Sequence, residues 1–224
     1  MLIASLRRCW SMWQDLFIKA LKALDASRVP GDEWTFGGGT ALTVYFQHRE
    51  SKDVDIFLRD AQYLTYLTPR LNNAVGNLTG DYVEGSHFLK LKFAEGEVDF
   101  IIAPHLTEKY YELKRVAGRE VRVESPEEII LKKLFYRAET LKTRDVVDVA
   151  AAYERRKGRL LECLSFITLR VAAIKHRWEK LKTIYSAEAA GLIMLEPGLV
   201  NRAPALFEDF LNKAEKLYRL ESPL

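Results

Sequence analysis

Three consecutive glycines, Gly37, Gly38 and Gly39, separate a short apolar run (Trp34-Thr35-Phe36) from an amphipathic stretch that starts at Thr40. A few residues later Asp53 and Asp55 alternate with Val54, Ile56 and Phe57. The pattern predicts a strand over 33–36, a glycine turn, a helix over 40–49 and a strand over 54–58. Glycine allows the backbone to turn sharply and leaves its N–H groups open to close approach. The helix N-terminus that follows carries unpaired N–H donors and a partial positive charge, which suits a phosphate. On a strand, residues i and i+2 share a face, so Asp53 and Asp55 are expected side by side, roughly 6.6 Å apart at Cα. Two like charges so placed raise each other's pKa unless a cation neutralises them. A hard divalent ion with oxygen ligands, such as Mg²⁺ or Mn²⁺, meets that need.

Hydrophobic spacing predicts the remaining frame. Trp13, Leu16, Phe17, Ala20, Leu21 and Leu24 recur at helical intervals over 12–26. Pro30-Gly31-Asp32 is a turn, and residues 60–75 read as one helix. His87–Phe93 alternates, Ala94-Glu95-Gly96 turns, and Glu97–Ala103 returns, which makes a hairpin. Asp99 lies on that apolar returning strand, facing the same way as Glu97 and Ile101. If this strand neighbours the one carrying Asp55, three carboxylates could converge on one or two ions. After a strand over 119–124, Ser125-Pro126-Glu127-Glu128 opens a helix, with serine as N-cap, proline at the first position and Glu128 placed to close a capping box. The expected class is α+β: a mixed sheet flanked by helices over residues 1–120, then a helical region over 121–224.

Composition excludes several classes. The 224 residues carry a net charge of +3 and 48% hydrophobic residues, ordinary for a globular protein and short of a nucleic-acid tail. Residues 150–224 are the more basic part, and solvated helix faces explain this without a partner. Cys9 and Cys163 are the two cysteines, neither a disulfide framework nor a metal-ligand spacing, which fits a reducing cytoplasm. Arg7 and Arg8 interrupt the apolar N-terminal stretch, so no signal peptide is expected, and no run reaches the roughly 20 apolar residues of a membrane span. The glycines fit neither dinucleotide nor P-loop fingerprints: Leu42 stands where a third glycine belongs, and no Gly-Lys-Ser/Thr follows.

The string GGGTALTVYFQHRESKDVDIFL (37–58) resembles the polymerase-β-like nucleotidyltransferases, with their glycine turn, helix and acid-x-acid strand. More narrowly, GGTAL followed by HRxSxDxDxF resembles the AbiEii/AbiGii-type nucleotidyltransferase toxins of abortive-infection and toxin–antitoxin pairs. SPEEIILKKLFYRAETLKTRDVVDVAAA (125–152) is similar to that branch's later Lys-Leu and Arg-Asp-x-x-Asp segment. The resemblance implies a polymerase-β-like fold and transfer of a nucleoside monophosphate from an NTP to an acceptor hydroxyl. It implies that Gly38, Gly39 and Thr40 hold nucleotide phosphates, with Ser51 beside the acids and Arg49 near phosphate or acid. Asp53, Asp55 and Asp99 would hold Mg²⁺ or Mn²⁺, Asp99 also helping to activate the acceptor. Lys133 would touch phosphates, and Asp145, or Asp148 as second choice, would complete the pocket. It further implies an RNA acceptor, the tRNA 3′ end, a cognate antitoxin, no membrane, a cytoplasmic location and a part in phage defence.

Plainer readings accompany each of these. Asp-x-Asp can edge a strand and face water; the stem of Lys133 can run along apolar surface with its amine in water; Asp145 can serve the helix dipole, with Thr143 as cap; Arg49 can make a structural ion pair. His48 and His87 lack partners at ligand spacing. Trp10, Trp13, Trp34 and Trp178 are expected as core anchors. The rival functions are nucleotidyl transfer to a small molecule, as in aminoglycoside-modifying enzymes, and a non-catalytic binding or antitoxin module on the same fold.

Overall fold

A computed structural model of the chain describes residues 2–221, with the side chains of residues 13–217 and Arg219. Cys9 and Trp10 lie outside the described side chains. Contacts divide the chain into two units. The first comprises residues 1–41, 51–105 and 111–124; the second comprises 42–50, 106–110 and 125–224.

The first unit is a seven-stranded mixed sheet with helices on it. In chain order its elements are α1 (Leu2–Ala26), β1 (Trp34–Gly37), the start of α2 (Gly38–Phe46), β2 (Val54–Leu58), α3 (Gln62–Leu67), α4 (Asn73–Gly76), β3 (Tyr82–Glu84), β4 (Phe88–Phe93), β5 (Gly96–Ile102), β6 (Tyr111–Val116) and β7 (Arg119–Glu124). The strand order is β3-β4-β5-β2-β1-β7-β6. Hairpin pairs β4/β5 and β6/β7 are antiparallel, as is β1/β2, whereas β2/β5 and β1/β7 run parallel. The expected hairpin and the neighbourhood of its second strand with β2 are therefore both present.

Alternation decides which face is dry. Val54, Ile56 and Leu58 of β2, and Val98 and Phe100 of β5, are buried under α1, whose Leu16, Phe17, Ala20 and Leu24 face them. Phe36 of β1 is enclosed by Phe17 and Trp13, at ring-centroid distances of 4.7 and 6.1 Å. Side chains at the intervening positions, Asp55, Phe57, Glu97, Asp99 and Ile101, take the opposite face.

The helix expected over 60–75 is two short helices. Thr68-Pro69 separates them, since proline disfavours helical backbone in the residue before it, and Thr68 is extended at ψ 130°. The Asn72 side chain then caps α4 by accepting from the N–H groups of Ala74 and Val75.

The second unit is helical: α5 (Pro126–Tyr136), α6 (Thr143–Glu162), a 3₁₀ segment (Leu164–Arg170), α7 (Val171–Lys182), α8 (Tyr185–Ala189) and α9 (Leu199–Glu221). Its core is built from Ala150, Ala151, Ala152 and Tyr153 of α6 against Phe207, Phe210 and Ala214 of α9, with Trp178 edge-on to Phe207 at 5.2 Å. The small alanines let α6 and α9 lie close.

Residues 42–50 join this unit. The helix expected to reach Arg49 ends at Phe46, because Gln47 is left-handed at φ 49°, and Arg49 instead bridges Met194 as an isolated β pair. Ser125 caps α5 as expected, its Oγ accepting from Glu128 N–H at 3.3 Å. The reciprocal half of the box is absent. Glu128 turns its carboxylate to the N–H groups of Leu106 and Thr107 and to the Thr107 hydroxyl, and the Ser125 N–H goes to the Tyr110 carbonyl. Ala138 and Leu141, beyond the end of α5, are buried.

Candidate active site

The glycine turn and the acids are fitted to each other. Gly37 is the register partner of Asp55 across β1/β2, and Gly38 is left-handed at φ 70°. A Cβ on Gly38 would stand 1.8 Å from Asp55 Oδ2, and one on Gly37 would stand 2.4 Å from Glu124 Oε2. The Asp55 carboxylate therefore occupies the space that any other residue at position 38 would fill. Glu124, 1% exposed, accepts the Thr35 hydroxyl at 3.0 Å and lines the other side of the turn.

Asp55 and Asp99 are register partners on the parallel strands β2 and β5, which sets two carboxylates next to each other on one face. Burial, and after it the Asp55 charge, pushes the Asp99 carboxyl up to about 6, against the pull of Lys90. Lys90 Nζ lies 3.2 Å from Asp99 Oδ2. Asp99 Oδ1 is buried and has no hydrogen-bond partner among the described residues.

Asp53 precedes β2, and its Oδ1 accepts the Glu97 N–H at 3.2 Å, closing the β4–β5 turn. Thr40, fully buried, donates its hydroxyl to the Asp53 carbonyl and has Ser51 Oγ at 2.9 Å. The side chains of Thr40 and Ser51 thus hold the loop that carries Asp53. No three or more His, Cys, Asp or Glu side chains among the described residues already form a metal-ready cluster. What stands together is the Asp55–Asp99 pair.

The second unit holds the other expected residues in a buried ionic network. Asp148 is fully buried and receives a two-point contact from Arg49, Nε to Oδ1 at 2.7 Å and Nη2 to Oδ2 at 2.8 Å. His48 Nε2 lies 2.7 Å from Asp148 Oδ1. Lys133 Nζ sits between Asp145 Oδ1 at 3.0 Å and Asp148 Oδ2 at 3.2 Å. Asp145 also accepts the Lys142 N–H at 3.1 Å and has Arg137 Nη1 at 3.4 Å.

Burial alone would raise the carboxyls of both aspartates. Arg49 and Lys133 hold Asp148 well below the usual range, and Lys133 with Arg137 lowers Asp145. Burial lowers the His48 imidazole despite Asp148, and its Nδ1 is buried without a hydrogen-bond partner among the described residues. That pattern fits a neutral ring that donates from Nε2. The N-cap of α6 is Lys142 and not Thr143, whose hydroxyl donates to Glu188 at 2.6 Å.

Three contributors escaped sequence reasoning: Glu124, His48 and Lys90. His48 finds its partner a hundred residues away, and nothing local signals that. Lys90 was legible in principle, since the hairpin register sets it opposite Asp99. Several basic residues of 154–182 are taken by acids: Arg155 by Glu196, Lys157 by Asp209, Lys175 by Glu215 and Lys182 by Glu208.

The family model for the nucleotidyl transferase AbiEii toxin of type IV toxin–antitoxin systems matches residues 19–220. The chain belongs to the AbiEii nucleotidyltransferase toxin family. This AbiEii domain is a nucleotidyltransferase by family.

Among solved structures it is similar to the antibiotic-resistance factor ANT(2″)-Ia, at 20% identity and TM-score 0.51 over 78% of this chain and 97% of that one. It is also similar to an H. pylori protein described as a nucleotidyltransferase, at 18% identity and TM-score 0.50 over 91% and 95%. MenT4, a nucleotidyltransferase toxin of Mycobacterium tuberculosis H37Rv, aligns at 16% identity and TM-score 0.48 over 93% and 89%. The first two share the polymerase-β-like fold with the AbiEii domain. No curated protein matches.

The residues present fit a divalent ion. Asp99 Oδ1 is a buried carboxylate oxygen without a hydrogen-bond partner among the described residues, and the adjacent Asp55 adds a second charge beside it. An all-oxygen donor set of this kind suits Mg²⁺ or Mn²⁺. No helix among the described residues is long and apolar enough to cross a membrane.

Proposed function

We propose that this AbiEii domain transfers a nucleoside monophosphate from an NTP to a hydroxyl at the 3′ end of an RNA, with tRNA as the acceptor class. In this reading it is the cytoplasmic toxin of a pair whose antitoxin restrains it, and it serves phage defence. The observation that carries the reading is the Asp55–Asp99 pair set against a glycine turn that has no room for a Cβ.

The roles follow from the residues. Gly38, Gly39 and the Thr40 backbone offer N–H groups at the start of α2 to the NTP phosphates. Asp55 and Asp99, joined by Asp53 from the loop before β2, would hold Mg²⁺ or Mn²⁺, which when bound neutralises phosphate charge. Asp99 takes the proton of the acceptor hydroxyl as the hydroxyl oxygen bonds to the α-phosphorus. The bond from that phosphorus to the pyrophosphate breaks, and pyrophosphate leaves. Thr40 and Ser51 keep the Asp53 loop in place.

Lys133 pairs with Asp145 and Asp148, and Arg49 with Asp148, in the buried network of the second unit. Direct phosphate contact by Lys133 would require it to leave two carboxylates at 3.0 and 3.2 Å, and uncompensated buried charge is costly.

The test is incubation of purified protein with each α-labelled NTP and total RNA, then with aminoglycosides. Label should enter an RNA band in the tRNA range with wild type and be lost with Asp55→Asn. Label on an aminoglycoside and none on RNA would replace the acceptor assignment; label on neither, with any NTP, would overturn the reaction.

A further inference from the structure

Lys90 and Glu97 lie on neighbouring strands of the β4–β5 hairpin, and the register sets Lys90 opposite Asp99 and Lys92 opposite Glu97. Lys90 Nζ reaches both acids: it bonds Glu97 Oε2 and stands 3.2 Å from Asp99 Oδ2. Its side chain is 28% exposed, Glu97 is 36% exposed and Asp99 is 19% exposed, so this is a half-dry ion triad and not a surface decoration. Lys92, two residues on, pairs with Asp81 at 3.7 Å instead.

The arrangement divides the Asp99 carboxylate. Oδ2 faces an ammonium, while Oδ1 is buried without a hydrogen-bond partner among the described residues. A single positive charge beside two adjacent carboxylates relieves their repulsion only in part. The same charge opposes any other cation that approaches them.

We infer that Lys90 is an internal counter-cation for the Asp55–Asp99 pair, which competes with the divalent ion for Asp99, and that Glu97 is the anchor that weakens its hold. The inference rests on the metal-dependent reading above and adds a control on metal affinity that the reading does not contain. Its physical content is a pair of opposite signs. Without the Lys90 charge, the acids meet a divalent ion with neither competition nor repulsion, and the ion binds more tightly. Without the Glu97 charge, Lys90 has Asp99 as its remaining acidic partner in the triad and holds it more firmly, so the ion binds more weakly. A merely structural triad would weaken binding in both variants.

Mn²⁺ serves as probe, on the whole chain without nucleotide, with its dissociation constant read by calorimetry or by loss of the free-ion paramagnetic signal. Lys90→Met should lower the Mn²⁺ Kd about tenfold, in line with removal of a unit charge a few ångströms away in a partly screened site. It should also lower the melting temperature of the metal-free protein. Glu97→Gln should raise the Kd. Lys90→Arg, which keeps the charge, and Lys92→Met, which lies outside the triad, should stay near wild type and report on folding. A Kd that is unchanged or higher in Lys90→Met, with wild type binding normally, overturns the inference and leaves the metal reading standing. If wild type binds no Mn²⁺, the metal reading fails first and takes the inference with it.

Discussion

Asp55 and Asp99 face the same side of adjacent parallel strands in direct register, and Lys90, 3.2 Å from Asp99, offsets the repulsion only in part. Asp99 shows the consequence, with its carboxyl pushed up to about 6 by burial first and Asp55 second. A carboxyl whose folded pKa lies above its unfolded value of 3.8 gives stability that is complete below 3.8 and lost as pH rises through about 6. At pH 8 without metal, the ionised Asp99 therefore burdens the fold. Asp99→Asn should raise metal-free stability there by about 1–3 kcal/mol, measured by urea unfolding, while nucleotide incorporation falls to background. A variant no more stable than wild type at pH 8 would show that the pair is already neutralised.

Position 38 admits glycine for two separate reasons, the left-handed backbone at φ 70° and the Asp55 oxygen 1.8 Å from a would-be Cβ. Gly38→Ala should cost about 1–3 kcal/mol of stability, the range for a strained backbone site, and should lower activity at least a hundredfold by displacing Asp55. Gly31, where nothing lies within 4 Å, provides the control: Gly31→Ala should leave both quantities near wild type. Retained activity in a folded Gly38→Ala protein would separate Asp55 from the chemistry.

How far this could be read in advance follows from where the information sits. Strands β1, β2, β4 and β5 were legible because one face is apolar at every second residue, as in Val54, Ile56 and Leu58. The edge strands β3 and β6 were not expected, since Tyr82–Glu84 is short and exposed and Tyr111–Val116 alternates with charged residues. Asp99 was legible as a misfit on an apolar strand, and register then set it beside Asp55. The Ser125 cap was local and visible. The destination of Glu128 was not, because its partners Leu106 and Thr107 come from a distant segment. The same holds for the second unit, where Arg49 and His48 reach Asp148 across a sequence gap that no periodicity reports.

That network yields a prediction with two pH windows. Asp148 is held well below the usual carboxylate range, with burial opposed chiefly by Arg49 and Lys133, so its contribution is present above the unfolded value and is lost as pH falls through the folded one. His48 has the opposite chemistry. Burial lowers its imidazole from 6.5, so the folded protein keeps it neutral where the unfolded chain takes up a proton. Its environment costs nothing above pH 6.5 and destabilises the fold progressively as pH falls below that value. Asp148→Asn, which leaves Arg49 and Lys133 short of a buried counter-charge, should lose about 3–5 kcal/mol at pH 7. His48→Gln keeps a donor toward Asp148 but cannot be protonated. Relative to wild type it should gain stability steadily from pH 7 down to pH 5, and that difference curve cancels the contribution of Asp99, which both proteins share. Parallel curves for His48→Gln and wild type across this window would mean that folding leaves the His48 imidazole unshifted, and a wild type that gains on His48→Gln as pH falls would mean that the ring is a cationic partner of Asp148.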